Sequence, residues 1–87
     1  GQNIQISIFA RREGKDLVIQ IRDNGSGIPE NMLHQINERL KRDEPAGNSI
    51  GLRNVNERIR LHFGNRYGIR LESREGSYTT VVIRIPS

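Results

Sequence analysis

The spacing of the apolar residues changes twice along this chain, from two to between three and four and back to two. That change limits the fold more than composition does. From Gln2 to Ala10, Ile4, Ile6, Ile8 and Ala10 fall on one side, with Gln5, Ser7 and Phe9 on the other. This alternation predicts a strand with one buried face. Arg11 to Lys15 is a charged stretch with one glycine, suited to a hairpin loop. A second strand is predicted from Asp16 to Asp23, burying Leu17, Ile19 and Ile21 and turning Gln20 and Arg22 outward. At the far end, Gly68 to Arg74 and Tyr78 to Ile85 alternate in the same way around the turn Glu75-Gly76-Ser77, and Pro86 ends the last strand.

Between the two hairpins the period is helical. Pro29 and Glu30 suit the first turn of a helix, and Met32, Leu33, Ile36 and Leu40 follow at helical spacing. From Lys41 to Asn48 the stripe is lost among charges, Pro45 and Gly47, which reads as a loop or lid. A second helix is predicted to begin around Ser49 to Gly51. It carries Leu52, Val55, Ile59 and Phe63, and Gly64 is its stop. The order ββ-α-α-ββ predicts an α+β fold: a two-layer sandwich of a mixed β-sheet with helices on one face. Its 87 residues allow one domain over 1–87.

Composition removes several function classes. The chain has no cysteine, so disulfides, thiol catalysis and thiolate metal sites are excluded. No apolar run approaches the ~18 residues of a membrane span. The net charge is +4, and twelve of the fourteen basic residues are arginine, the side chain that grips phosphate in two places at once. Acidic residues lie near most of them, so an ordinary solvated surface is the simplest account of that charge.

Three catalytic patterns fail on context. Gly47-Asn48-Ser49-Ile50-Gly51 matches a serine-hydrolase elbow, but no hydrophobic strand feeds Ser49 and no aspartate follows it. His34 and His62 are lone helical histidines without thiolate partners, which does not make a zinc site. No phosphate-binding loop of the G-x-x-x-x-G-K-[ST] type is present.

One ordered constellation remains. Asp23 ends a strand and runs into Asn24-Gly25-Ser26-Gly27-Ile28, where a carboxylate beside a loop nearly free of side chains could accept a hydrogen bond from an amine on a flat ring. Gly47 to Gly51 opens a helix whose free amides attract phosphate. Thr79 and Thr80 lie early on the last strand, able to reach the same pocket.

In this order the segments resemble the histidine-kinase type of ATPase domain, the Bergerat fold. Asp23 to Pro29 resembles its first glycine box, and Gly47 to Ile59 its second, with a continuation similar to sensor kinases of two-component systems. The resemblance implies that Asp23 binds the adenine amino group with Thr79 in support. Gly25, Gly27 and Ile28 would shape the adenine floor. Lys41 to Asn48 would be the lid, and Gly47, Gly51 and Leu52 would sit at the phosphates, with Arg53 and Arg58 within reach. It further implies ATP or ADP with Mg2+ in the intact protein, and a kinase passing the γ-phosphate to a histidine and on to a response-regulator aspartate. The parent would be anchored in the bacterial membrane, with this domain cytoplasmic.

The sequence departs from the family pattern in places. Ser49 stands where a glycine is common, and Tyr78 precedes the threonine where a glycine is common, which could crowd the adenine side. The asparagine-bearing helix that contacts phosphate and binds the metal is expected upstream of Gly1, so no catalytic or metal-binding residue is assigned, and the chain is expected to be part of a domain. Sheet surface left bare by that helix predicts a homodimer through the uncovered sheet or helix face. Two further readings stand beside this one: a basic nucleic-acid-binding module, disfavoured by scattered aromatics, and a non-kinase ATPase of the same fold.

Overall fold

The computed structural model of the chain describes residues 5–41 and 50–87. Within them the elements follow the expected order: β1 (Ile6–Glu13), β2 (Asp16–Asp23), α1 (Glu30–Lys41), α2 (Ile50–Phe63), β3 (Gly68–Arg74) and β4 (Tyr78–Pro86). Residues 2–4 of the predicted first strand, residues 42–48 of the predicted lid, and Ser49 at the predicted start of the second helix lie outside the described residues.

The four strands form one sheet in the order β1-β2-β4-β3. Every pairing is antiparallel, which corrects the expectation of a mixed sheet. The reason is topological. β2 and β3 run in the same direction and are joined through both helices, but β4 inserts between them, so no two parallel strands touch. β1 also runs on through Arg11, Arg12 and Glu13, which had been expected to form the loop; the turn is only Gly14-Lys15.

Residues directly opposite one another in an antiparallel pair point to the same side. The register therefore draws rows across the sheet: Ile8, Ile21, Val81, Leu71, and next to it Ala10, Ile19, Ile83, Ile69. Along both rows burial rises from β1 to β3. Leu71 and Ile69 are buried, the central residues are half-buried, and Ile8 is 68% exposed. The predicted apolar face of β1 and β2 is thus correctly identified but not buried. Ile6 is 66% exposed, because α1 packs on β3 and α2 on β3 and β4, leaving β1 uncovered. On the opposite face, Val18, Thr80 and Val82 are buried among longer side chains. Val18 stands between Arg11 and Arg84, and Val82 between Gln20 and Arg70, in the register of the sheet.

The helices are shaped by their ends and by two asparagines. Leu33 N–H donates to the Pro29 carbonyl, so Pro29 opens α1 as expected, and Gly64 N–H closes α2 onto Arg60. Leu40 is the fully buried member of the α1 stripe; Met32, at 51% exposed, is not part of the core, and Val55 and Phe63 of α2 are likewise exposed. β3 is an edge strand, and its outward backbone groups need partners. Asn37 supplies them at Leu71, donating to its carbonyl at 2.9 Å and accepting its N–H at 2.8 Å. Asn56, 2% exposed, accepts the Ile69 N–H and donates to the Leu40 carbonyl, both at 2.8 Å. No helix among the described residues is long and apolar enough to cross a membrane.

Candidate nucleotide site

A third row of the sheet carries the chemistry: Ile6, Asp23, Thr79, Ser73. The sequence places Asp23 at the last position of β2, so its backbone is fixed by the ladder while the chain beyond it turns away. Asp23 Oδ1 accepts the N–H of Gly25 at 2.9 Å, a local turn bond that aims the carboxylate. Its other oxygen, Oδ2, has no hydrogen-bond partner among the described residues. Asp23 and Thr79 face each other across β2 and β4, and both are half-buried.

Ser73 holds this corner together, and sequence reasoning missed it. Its hydroxyl accepts the Ile28 N–H at 2.8 Å, donates to the Tyr78 carbonyl at 2.6 Å and lies 3.2 Å from Thr79 Oγ1. A serine at the third alternating position of a strand, after Ile69 and Leu71, gives no signal by itself. Only the register, which sets it opposite Thr79, shows its place. Gly27 has a φ of 74°, and a Cβ there would lie 2.2 Å from the Arg74 carbonyl oxygen. The glycine is therefore required for the loop to lie against the β3–β4 hairpin. The Ser26 carbonyl completes the seam by accepting the Gly76 N–H.

The structure brings Asp23, Gly25, Gly27, Ile28 and Thr79 to one corner. Gly51 and Leu52 lie in the first turn of α2, as expected, and Gly47 lies outside the described residues. Arg53, in the same turn, has a buried Nε with no hydrogen-bond partner. Tyr78 does not crowd the threonine. Neighbouring residues of a strand point to opposite faces, and the Tyr78 ring lies under the Arg22 guanidinium at 4.3 Å on the other side.

The opposite end of the sheet carries a charged cluster that sequence reasoning did not connect. Asp16 is 0% exposed and accepts from Arg84 at 2.6 Å, Tyr67 at 2.9 Å and Arg66 at 3.2 Å. The hydrogen bond from Arg84, then those from Tyr67 and the charge of Arg66, hold its carboxyl below the ordinary value despite burial. The bond to Asp16 in turn raises the Tyr67 hydroxyl above its own. The partners lie 50 to 68 residues from Asp16 in sequence, so no local pattern links them. A cavity of about 450 Å³ opens beside this cluster rather than at Asp23. The two ends are separated along β4 by the five steps from Thr79 to Arg84, about 16 Å at strand rise. Neither Asp23, Ser73 nor Thr79 lines this cavity, and it is assigned no part in nucleotide binding. No group of three or more metal-binding side chains occurs among the described residues.

Comparison with known proteins places the chain in a family. Residues 1–87 match the family described as histidine kinase-, DNA gyrase B- and HSP90-like ATPase. Sensor histidine kinase YesM of Bacillus subtilis (strain 168) is 36% identical over 81 residues, which are 93% of this chain and 12% of that protein. Sensor histidine kinase BtsS of Escherichia coli (strain K12) is 33% identical over 84 residues, 94% of this chain and 12% of that protein. Sensor protein LytS of Staphylococcus haemolyticus (strain JCSC1435) is 34% identical over 82 residues, 94% of this chain and 14% of that protein. The chain thus spans about an eighth of the length of these relatives. With a match across its full length and the Asp23, Gly27 and Thr79 corner in place, this chain belongs to the histidine kinase-, DNA gyrase B- and HSP90-like ATPase family.

Proposed function

We propose that this chain is an ATP-binding portion of a two-component sensor histidine kinase. The observation that carries the reading is the open oxygen of Asp23, aimed by Gly25 and set beside Thr79. An exocyclic amine of adenine would donate to it, and Thr79 would add a second polar contact. The ring would lie along the loop from Gly25 to Ile28. The phosphates would meet the free amides at the start of α2, near Gly47, Gly51 and Leu52, where the helix carries partial positive charge. The orphaned Nε of Arg53 in that turn supplies a charged donor close by. Mg2+, which the family uses with the nucleotide, has no ligand set among the described residues, so no role for these side chains is routed through it.

In the whole protein the γ-phosphoryl group would pass to a histidine and then to a response-regulator aspartate, with catalysis resting on positioning and charge stabilisation. The sensor histidine kinases among its relatives support that reading; the parent would be held at the bacterial membrane, with this domain in the cytoplasm. Calorimetric titration with ADP, with and without Mg2+, tests it. The chain is expected to bind, and Asp23→Asn, which replaces an acceptor by a donor at one position, to weaken binding by about tenfold or more. Binding untouched by that substitution would remove Asp23 from the site.

A further inference from the structure

The cavity at the remote end of the sheet is bounded by the ends of α1 and α2, the loop of residues 65–67, and the adjoining parts of β3 and β4. At about 450 Å³ it is large enough for a small organic molecule. Its charged lining is of one sign. Among the described residues, Lys41, Arg60, Arg66, Arg70 and Arg84 border it, and no aspartate or glutamate does. Across the chain 10 acidic residues accompany 14 basic ones, so a lining of five cations without an acid departs from the overall mixture.

These cations are also held in place. Asp16 lies behind Arg66 and Arg84 and fixes both, while Arg60 donates to the Leu40 and Lys41 carbonyls at the end of α1. Asn56 takes the same Leu40 carbonyl, so donors stand between the negative end of α1 and the cavity. Guanidinium groups already fixed lose less freedom when they bind. A guanidinium has five N–H donors, and Arg66, Arg70 and Arg84 use one or two each on carboxylates. Beside Asn56, Asn65, Tyr67 and Gly68, the lining includes three apolar side chains, Leu40, Ile69 and Val82, all buried. A bare inorganic ion would leave that surface unused.

We propose that this cavity binds a small phosphorylated organic anion, at a site separate from the Asp23 corner. Several arginines meeting on one volume favour phosphate, whose oxygens accept paired N–H donors, and the apolar floor favours an organic body. The site needs nothing from the nucleotide reading.

The test follows backbone amide resonances of the chain during three titrations: with inorganic pyrophosphate as the phosphate probe, with succinate as a carboxylate control, and with ADP. Pyrophosphate is expected to move the resonances of residues 65–70. Arg70→Gln is the informative variant, because among the described residues the Arg70 guanidinium pairs only with the exposed Glu72 carboxylate, and glutamine keeps part of its stem. It is expected to weaken the pyrophosphate response about tenfold while the melting midpoint and any ADP shifts of residues 23–28 stay unchanged. Resonances of 65–70 that do not move, or an affinity that Arg70→Gln leaves intact, would overturn the site. Succinate binding as tightly as pyrophosphate would overturn the phosphate class. Pyrophosphate shifts at 65–70 without ADP shifts at 23–28 would sink the nucleotide reading and leave this one standing.

Discussion

Asp16 shows how far one residue's role can depend on chain distant from it. A carboxylate at the first position of a strand is unremarkable in sequence, yet here it is fully buried and tied to Arg84, Tyr67 and Arg66. Its carboxyl is held below the ordinary 3.8, first by the Arg84 hydrogen bond. A depressed carboxyl stabilises the fold above the unfolded-state value, and that contribution disappears as pH falls through the folded one. Thermal unfolding followed from pH 7 downward is therefore expected to show a midpoint falling below about pH 4. Asp16→Asn should flatten that acid limb, leaving the variant less stable at neutral pH. Asp23, by contrast, was legible because its surroundings are local: a strand end and two nearby glycines. Ser73 was not, because its partners Ile28 and Thr79 come from two other segments.

At the scale of elements, the hydrophobic period located β2 and β3 to the residue and both helices closely. It failed where burial did not follow pattern. The charges Arg11, Arg12 and Glu13 look like a loop, but an edge strand facing water accepts them, and Glu13 pairs with Arg11 and Arg84. Asn37 and Asn56 were equally unreadable, since an asparagine inside a helix carries no apolar signal. They let two helices complete the hydrogen bonds of a strand edge, a junction usually made by another strand. Asn56→Ala would strand the Ile69 N–H and remove one donor from the Leu40 carbonyl. Urea denaturation is expected to show a loss of about 1–3 kcal/mol for a buried group left unpaired. Asn56→Asp keeps the acceptor for Ile69 but faces the Leu40 carbonyl with an oxygen, so it should not restore the loss.

The molecule as a whole has one covered and one bare half. Ile6, Ile8 and Phe9 are exposed on β1, and next to Ile6 and Ile8 the rows through Leu17, Ile19 and Ile21 are only half-buried. An exposed apolar edge strand invites pairing with another chain. The chain on its own is expected to self-associate as concentration rises, and Ile8→Lys to shift sedimentation toward monomer, since a lysine on an edge blocks such pairing. A chain that stays monomeric throughout the accessible range would rule out association through this face.

The insertion of β4 between β2 and β3 has a consequence for how the protein is made. β4 is made after both of the strands it lies between, and until Tyr78–Pro86 emerges β3 has no strand neighbour and β2 pairs only with β1. The earlier segments must wait in a partly formed state, and the sheet closes only once β4 has emerged. Contacts so distant in sequence make closure slow compared with the helices, which can form as they are synthesised.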